Sequence, residues 1–135
     1  WCCGEIVRGK GAIAILALRL VAGYAFVLHG WPKIQHAFDW MGTALPPWLQ
    51  ALAAFAEFAG GLAILGGLLT QLAASGIAVV MLVAIFYVHL PKEHPFVGQE
   101  SSWELAAVYL AVMIVLILRG AGSISLDALF HRKKG

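Results

Sequence analysis

Charge is the scarcest ingredient of this 135-residue chain. Only 12% of its residues are Asp, Glu, Lys or Arg, about half the share of an ordinary soluble domain, whereas 61% are hydrophobic. With a mean hydropathy of +0.87, the chain holds too little polar surface to clothe a water-soluble globule. Cysteine is nearly as rare. Cys2 and Cys3 are adjacent, which builds neither a disulfide framework nor a zinc-ligand spacing, so they read as incidental thiols or as sites for lipidation or redox use. A Gly-rich phosphate loop, a metal-spaced His or Cys cluster and a Ser-His-Asp arrangement are all missing, so no metal is expected and catalysis is not written in the residues. The formal charge of +2, with basic residues split between the two ends, is too small to argue for nucleic acid, and no nucleic-acid partner is expected. The first apolar stretch lacks the charged flank and small-residue cleavage site of a removable signal. Because the chain begins with Trp rather than Met, the natural N-terminus is expected to be missing or processed.

Long apolar runs are what the sequence has in quantity. Crossing a hydrocarbon core about 30 Å thick takes about 20 helical residues. Four stretches approach or exceed that length: Gly11 to Gly30, Trp48 to Leu69, Leu72 to Leu90 and Ser102 to Arg119. The expected fold is therefore all-α, an antiparallel integral membrane four-helix bundle forming one domain over residues 1–135. Gly30 and Pro32 should close the first helix, Pro46 and Pro47 open the second, and Pro91 stop the third. Ser101 and Glu104 offer a capping box for the fourth, and Gly120 to Gly122 a C-cap. Between the second and third stretches only Thr70 and Gln71 are polar, which predicts a tight hairpin. Lys and Arg are concentrated on the terminal side (Arg8, Lys10, Arg119, Arg132, Lys133 and Lys134), which predicts both termini in the cytoplasm. Trp31, Trp40, Trp48 and Trp103 gather at the opposite boundary as an interfacial belt. Residues 123 to 135 read as a short amphipathic surface helix with Ile124, Leu126, Leu129 and Phe130 toward lipid.

Two ionisable residues lie deep in the runs, Arg19 and Glu57, each costing about 2.5 to 3.5 kcal/mol near the bilayer centre unless partnered. Measured from Trp31 and Pro47 as outer helix ends, they lie at similar depths of roughly 18 and 15 Å. They are therefore expected to pair, either as a register-setting ion pair or as the lining of a polar cavity. Arg19, Gly23, Gly30 and Lys33 share one side of the first helix, and glycines at 60, 61, 66 and 67 thin the second for close packing. His29, His89 and Glu104 are polar residues that helices present near the outer mouth. Ligation of a haem by His29 and His89 is a possible reading that nothing else in the sequence marks, and Glu104 doubles as the capping acid.

Three stretches resemble the DoxX family of small bacterial and archaeal membrane proteins. They are Leu18 to Gly23 running on to His29-Gly30-Trp31-Pro32-Lys33, then Glu57 to Leu62 through Leu65-Gly66, and Glu104-Leu105-Ala106 followed by Gly120 to Asp127. The family's polar positions fall on Arg19, His29, Lys33, Glu57, Glu104 and Asp127. Gln71 and Ala121 depart from its pattern, which has a basic residue and a proline more often at these points. One branch is the small subunit of thiosulfate:quinone oxidoreductase. The resemblance thus implies a bacterial or archaeal cytoplasmic-membrane subunit of a quinone-linked redox assembly, partnered by lipid and by larger redox subunits. On this reading Arg19, His29, Lys33, Glu57 and Glu104 form a polar pocket for the quinone. Two other readings stand beside it: a cofactor-free accessory subunit of a respiratory or photosynthetic complex, and a small transporter gated by the buried pair.

Overall fold

A computed structural model describes residues 7–132. The expectations for Cys2, Cys3, Lys133 and Lys134 lie outside the described residues. Every ordered element among the described residues is helical: α1 (Lys10–Gln35), α2 (Pro47–Gly66), α3 (Thr70–Val83) continuing as a π-helical segment (Ala84–His89), α4 (Glu104–Arg119) and α5 (Leu126–Arg132). Three helices are long and apolar enough to cross a membrane, Lys10–Gln35, Pro47–Gly66 and Thr70–His89. The fourth expected span is a shorter helix of 16 residues, about 24 Å at 1.5 Å per residue.

Two helix boundaries differ from expectation for physical reasons. α1 does not stop at Gly30 but carries Pro32 inside it, closing only where the His36 amide donates to the Lys33 carbonyl at 3.2 Å. A proline removes a single amide bond, and the extra turn beyond it brings Lys33 over α2. α4 has Trp103 at its N-cap with no side-chain cap, so the Ser101 and Glu104 capping box does not form. The Glu104 amide donates instead to the Phe96 carbonyl at 3.0 Å. Gly120, at φ 68°, closes the helix as the sequence suggested.

Glycine sets the approach of α1 to α2. The two run antiparallel with Gly23 against Gly61 and Leu65, and Gly30 against Phe58. A Cβ on Gly30 would fall 2.6 Å from the Phe58 amide nitrogen, so the two backbones touch without a side chain between them. α3 packs on the other side of α2, Ile77 filling the notch left by Gly60. α4 lies on α3, and it reaches α1 through Tyr109, whose ring sits 4.8 Å from that of Phe26. Ile15, Phe26, Ile64, Ile77, Met113 and Leu116 form the shared core.

The hairpin between α2 and α3 is as tight as the sequence implied, but its turn comes earlier. Gly67 and Leu69 both adopt left-handed φ, and Thr70 already begins α3. α5 is led in by Ser125, whose Oγ donates to the Gly122 carbonyl at 2.7 Å and accepts from the Ala128 amide at 3.1 Å. Its expected apolar residues, Ile124, Leu126, Leu129 and Phe130, are exposed, while Ala128 is buried against the bundle.

Candidate functional site

The expected pairing of Arg19 with Glu57 does not occur. Arg19 is buried, with 1% of its surface exposed, yet its partners are backbone carbonyls. Nε donates to the Ile64 carbonyl at 2.9 Å, which also accepts from the Gly67 amide, and Nη2 donates to the Leu65 carbonyl at 2.9 Å, both in the last turn of α2. Nη1 donates to Ala121 at 2.9 Å and Ile124 at 2.7 Å, in the segment that follows α4. A guanidinium suits this task, because its planar fork of donors can face two chain segments at once. The space comes from Gly67, where an added Cβ would lie 2.6 Å from Arg19 Cζ and from Ser125 Cβ.

Asp127 completes this clasp. Its carboxylate accepts from the amides of Leu69 and Thr70, and its own amide donates to the Gly67 carbonyl at 2.8 Å. Gln71 adds a bond from Nε2 to the Ile117 carbonyl at 2.8 Å, tying the start of α3 to the end of α4. The end of α2, the start of α3 and the chain after α4 are thus joined by polar bonds centred on one arginine of α1.

Glu57 pairs with Lys33 instead. The ammonium lies 2.7 Å from Oε1 and 2.6 Å from Oε2, and it stands 4.5 Å from the centre of the Trp40 ring. The carboxylate side chain is 2% exposed and the lysine 25%, so the cation opens toward the loop face while the anion stays inside. The register explains why Glu57 chose this partner. Arg19 precedes Lys33 by fourteen positions, a rise of about 21 Å along α1. With Gly30 fixed on Phe58, Arg19 faces the far end of α2.

Beside this pair lies a buried residue that the sequence reading passed over. Gln50 accepts from the Met41 amide through Oε1 at 2.8 Å and donates from Nε2 to the carbonyls of Gly42 at 2.8 Å and Leu45 at 2.7 Å. Trp40 Nε1 donates to its backbone carbonyl at 3.0 Å. An uncharged amide one turn into an apolar helix was the available signal: Gln50 folds the 36–46 connection down so that Trp40 covers Lys33.

The remaining expected site residues do not converge with these. His29 is exposed, with its ring edge-on to Tyr109 at 6.4 Å between centres. It borders a shallow groove of about 670 Å³ on the outward face of α1, lined also by Leu20, Val21, Tyr24, Ala25 and Leu28. Glu104 is exposed in the first turn of α4. His89 is engaged with His94 rather than with His29. Among the described residues, no group of three or more His, Cys, Asp or Glu side chains converges to hold a metal ion.

Helices of membrane-crossing length, joined through glycine contacts and fastened by an arginine on backbone carbonyls, define a small helical membrane protein. Residues 14–90 match the DoxX family, and the chain belongs to it. An uncharacterized protein of Haemophilus influenzae is 31% identical over 120 residues, covering 86% of this chain and 90% of that one. The protein named "Inner membrane protein YqjF" of Escherichia coli is 29% identical, over 90% of this chain and 95% of its own. A Bacillus subtilis protein named "Putative oxidoreductase CatD" is also 29% identical, over 90% of each chain. No solved structure matches the chain.

Proposed function

We propose that this DoxX-family protein is the small membrane subunit of a redox assembly and receives a quinone headgroup in the α1 groove rather than between its buried charges. A quinone needs an apolar slot open to lipid, with polar side chains that bond its carbonyl oxygens and exchange protons. The observation that carries this reading is the groove itself, whose apolar wall of Leu20, Val21, Ala25 and Leu28 includes the hydroxyl-bearing Tyr24 and the imidazole of His29. Reduction of the quinone to quinol takes two electrons, supplied by a redox centre on a partner subunit, and two protons. His29, with the Tyr24 hydroxyl beside it, is the proton-exchanging group of this reading; Glu104 does not line the groove and takes no part. Arg19 and the Lys33 and Glu57 pair take the supporting part of holding α1 on α2. The whole chain then forms one membrane domain of four antiparallel spans, with both termini cytoplasmic and the loop face outside. The oxidoreductase name of the Bacillus subtilis relative supports the redox class.

The test is quinone binding to the full chain in nanodiscs, using a short-chain benzoquinone. Tyr24→Phe and His29→Leu should each weaken binding while leaving thermal unfolding unchanged. Equal affinity in both variants and the parent would remove the groove from consideration.

A cofactor-free accessory subunit is the second reading, favoured by one observation. The buried side chains of Arg19, Gln50 and Glu57 all have partners within the chain, leaving little inside to recognise a ligand. Deleting the subunit separates the two readings: loss of an accessory chain lowers the amount of assembled complex but not turnover per complex.

A further inference from the structure

The last helix turns its apolar side away from the bundle. At 3.6 residues per turn, Leu126, Leu129 and Phe130 fall within an arc of about 100° on α5, and Ala128 lies on the opposite side. Ala128 is the residue buried against the bundle, whereas Leu126, Leu129 and Phe130 are 42%, 54% and 57% exposed. Basic residues surround this apolar side. The Ser123 amide donates to the Val7 carbonyl at 3.0 Å, which sets Arg8 and Lys10 beside the link into α5, and Arg119 precedes that link at the end of α4. All three are exposed, and Arg132, Lys133 and Lys134 follow in the sequence. Against these cations the terminal segments carry only the acids Glu5 and Asp127, and Asp127 is committed to the first amides of α3.

We propose that α5 and the cations around it form a docking surface for anionic phospholipid, and that this lipid fastens the clasp around Arg19. A short helix with an outward apolar side and flanking cations lies in the plane of a bilayer surface, its apolar residues at the acyl boundary and its cations among headgroup phosphates. Charge selects this occupant over a second copy of the chain, since two such surfaces packed face to face would set like charges against each other. The connection to the clasp runs through the chain itself. α5 carries Asp127, which holds the amides of Leu69 and Thr70, and the residues leading into it supply the Ala121 and Ile124 carbonyls to Arg19. α5 cannot leave its seat without straining or opening those bonds. Lipid that binds only the docked helix therefore stabilises the closed clasp by mass action. The α1 groove and its quinone reading are not involved, so either proposal stands or falls without the other.

The experiment uses the full chain with Cys2→Ser and Cys3→Ser, reconstituted in vesicles of phosphatidylcholine with or without phosphatidylglycerol. A nitroxide on the Leu129→Cys variant reports depth by electron paramagnetic resonance. Phosphatidylglycerol should move the label from contact with a water-soluble nickel chelate to contact with dissolved oxygen, and should raise the unfolding midpoint of the unlabelled chain by about 4 °C. High salt should reverse both effects. Arg132→Gln, Lys133→Gln and Lys134→Gln combined, with helicity confirmed by circular dichroism, should lose most of both responses. A label equally open to the chelate in both vesicles, a depth that ignores lipid charge and salt, or responses unchanged in the triple variant would overturn the docking. Dipolar broadening between labels would assign the surface to a second copy instead and overturn it too. A label at depth with a midpoint indifferent to phosphatidylglycerol would overturn the coupling to Arg19.

Discussion

The carboxylate of Asp127 lies across the first amides of α3, accepting from Leu69 at 2.8 Å and from Thr70 at 3.1 Å. These are among the donors that a helix start leaves unpaired, and here a side chain from α5, 57 and 58 positions away in sequence, satisfies them. Leu69 holds a left-handed φ of 48° that a leucine adopts only under constraint. Asp127→Ala is expected to lower stability by about 1 to 2 kcal/mol, the usual cost of a lost N-cap. Thermal unfolding in micelles measures it, and Asp127→Asn should retain part of the effect.

Arg19→Lys should fail where a simple charge requirement would let it succeed. An ammonium offers donors from one atom and cannot span the carbonyls of Ile64 and Leu65 on one side and Ala121 and Ile124 on the other. A loss of about 2 kcal/mol or more is expected, since each bond from a charged donor is worth about 1.5 to 3 kcal/mol. A cysteine at position 121, where Ala121 is buried, should become more accessible in the same variant, because the segment loses its anchor.

Lys33 and Glu57 give a double-mutant test. Lys33→Met leaves a carboxylate that is 2% exposed without its cation and should cost about 3 to 5 kcal/mol. Lys33→Met combined with Glu57→Leu should recover most of that loss, since a buried ion pair replaced by apolar side chains is often neutral. Denaturant unfolding of the four proteins of the cycle decides the matter.

Gly30→Ala and Gly60→Ala should behave differently. At Gly30 the new methyl meets the Phe58 backbone at 2.6 to 2.7 Å, which cannot yield without parting α1 from α2. At Gly60 it meets the Ile77 Cδ1 at 3.1 Å, the movable end of a side chain. Overpacking of the first kind costs about 1 to 3 kcal/mol. The second should be close to neutral in the same thermal assay.

Much of this architecture was legible because lipid imposes simple demands. Apolar length predicted four spans, of which three are long enough to cross and the fourth is a shorter helix; the near-absence of polar residues between the second and third predicted the hairpin, though its turn falls at Gly67 to Leu69 rather than at Thr70 and Gln71, and the apolar residues after Ser123 predicted α5. Arg19 and Glu57 were recognisable as costly residues needing partners, but the partners themselves were not. Carbonyls carry no side-chain signature, so nothing in the residue types at 64, 65, 121 and 124 announces that they accept from Arg19. The choice of Lys33 for Glu57 depends on α1 running one turn past Pro32 and on Gly30 meeting Phe58, a register that hydropathy does not encode. The meeting of His89 with His94 depends on Glu93 taking a left-handed φ of 54° just past the helix end, for which residue spacing gives no cue. Gln50 was overlooked because an uncharged amide stands out less than a charge in an apolar helix.

The clasp around Arg19 also imposes an order on biosynthesis. When α1 and α2 have left the ribosome, the guanidinium finds two of its four acceptors at the end of α2; the other two follow more than a hundred positions after it in the chain. A nascent chain halted before residue 121 holds a half-satisfied cation among apolar helices. Its guanidinium is fully satisfied only once residues 121 to 124 have joined the bundle.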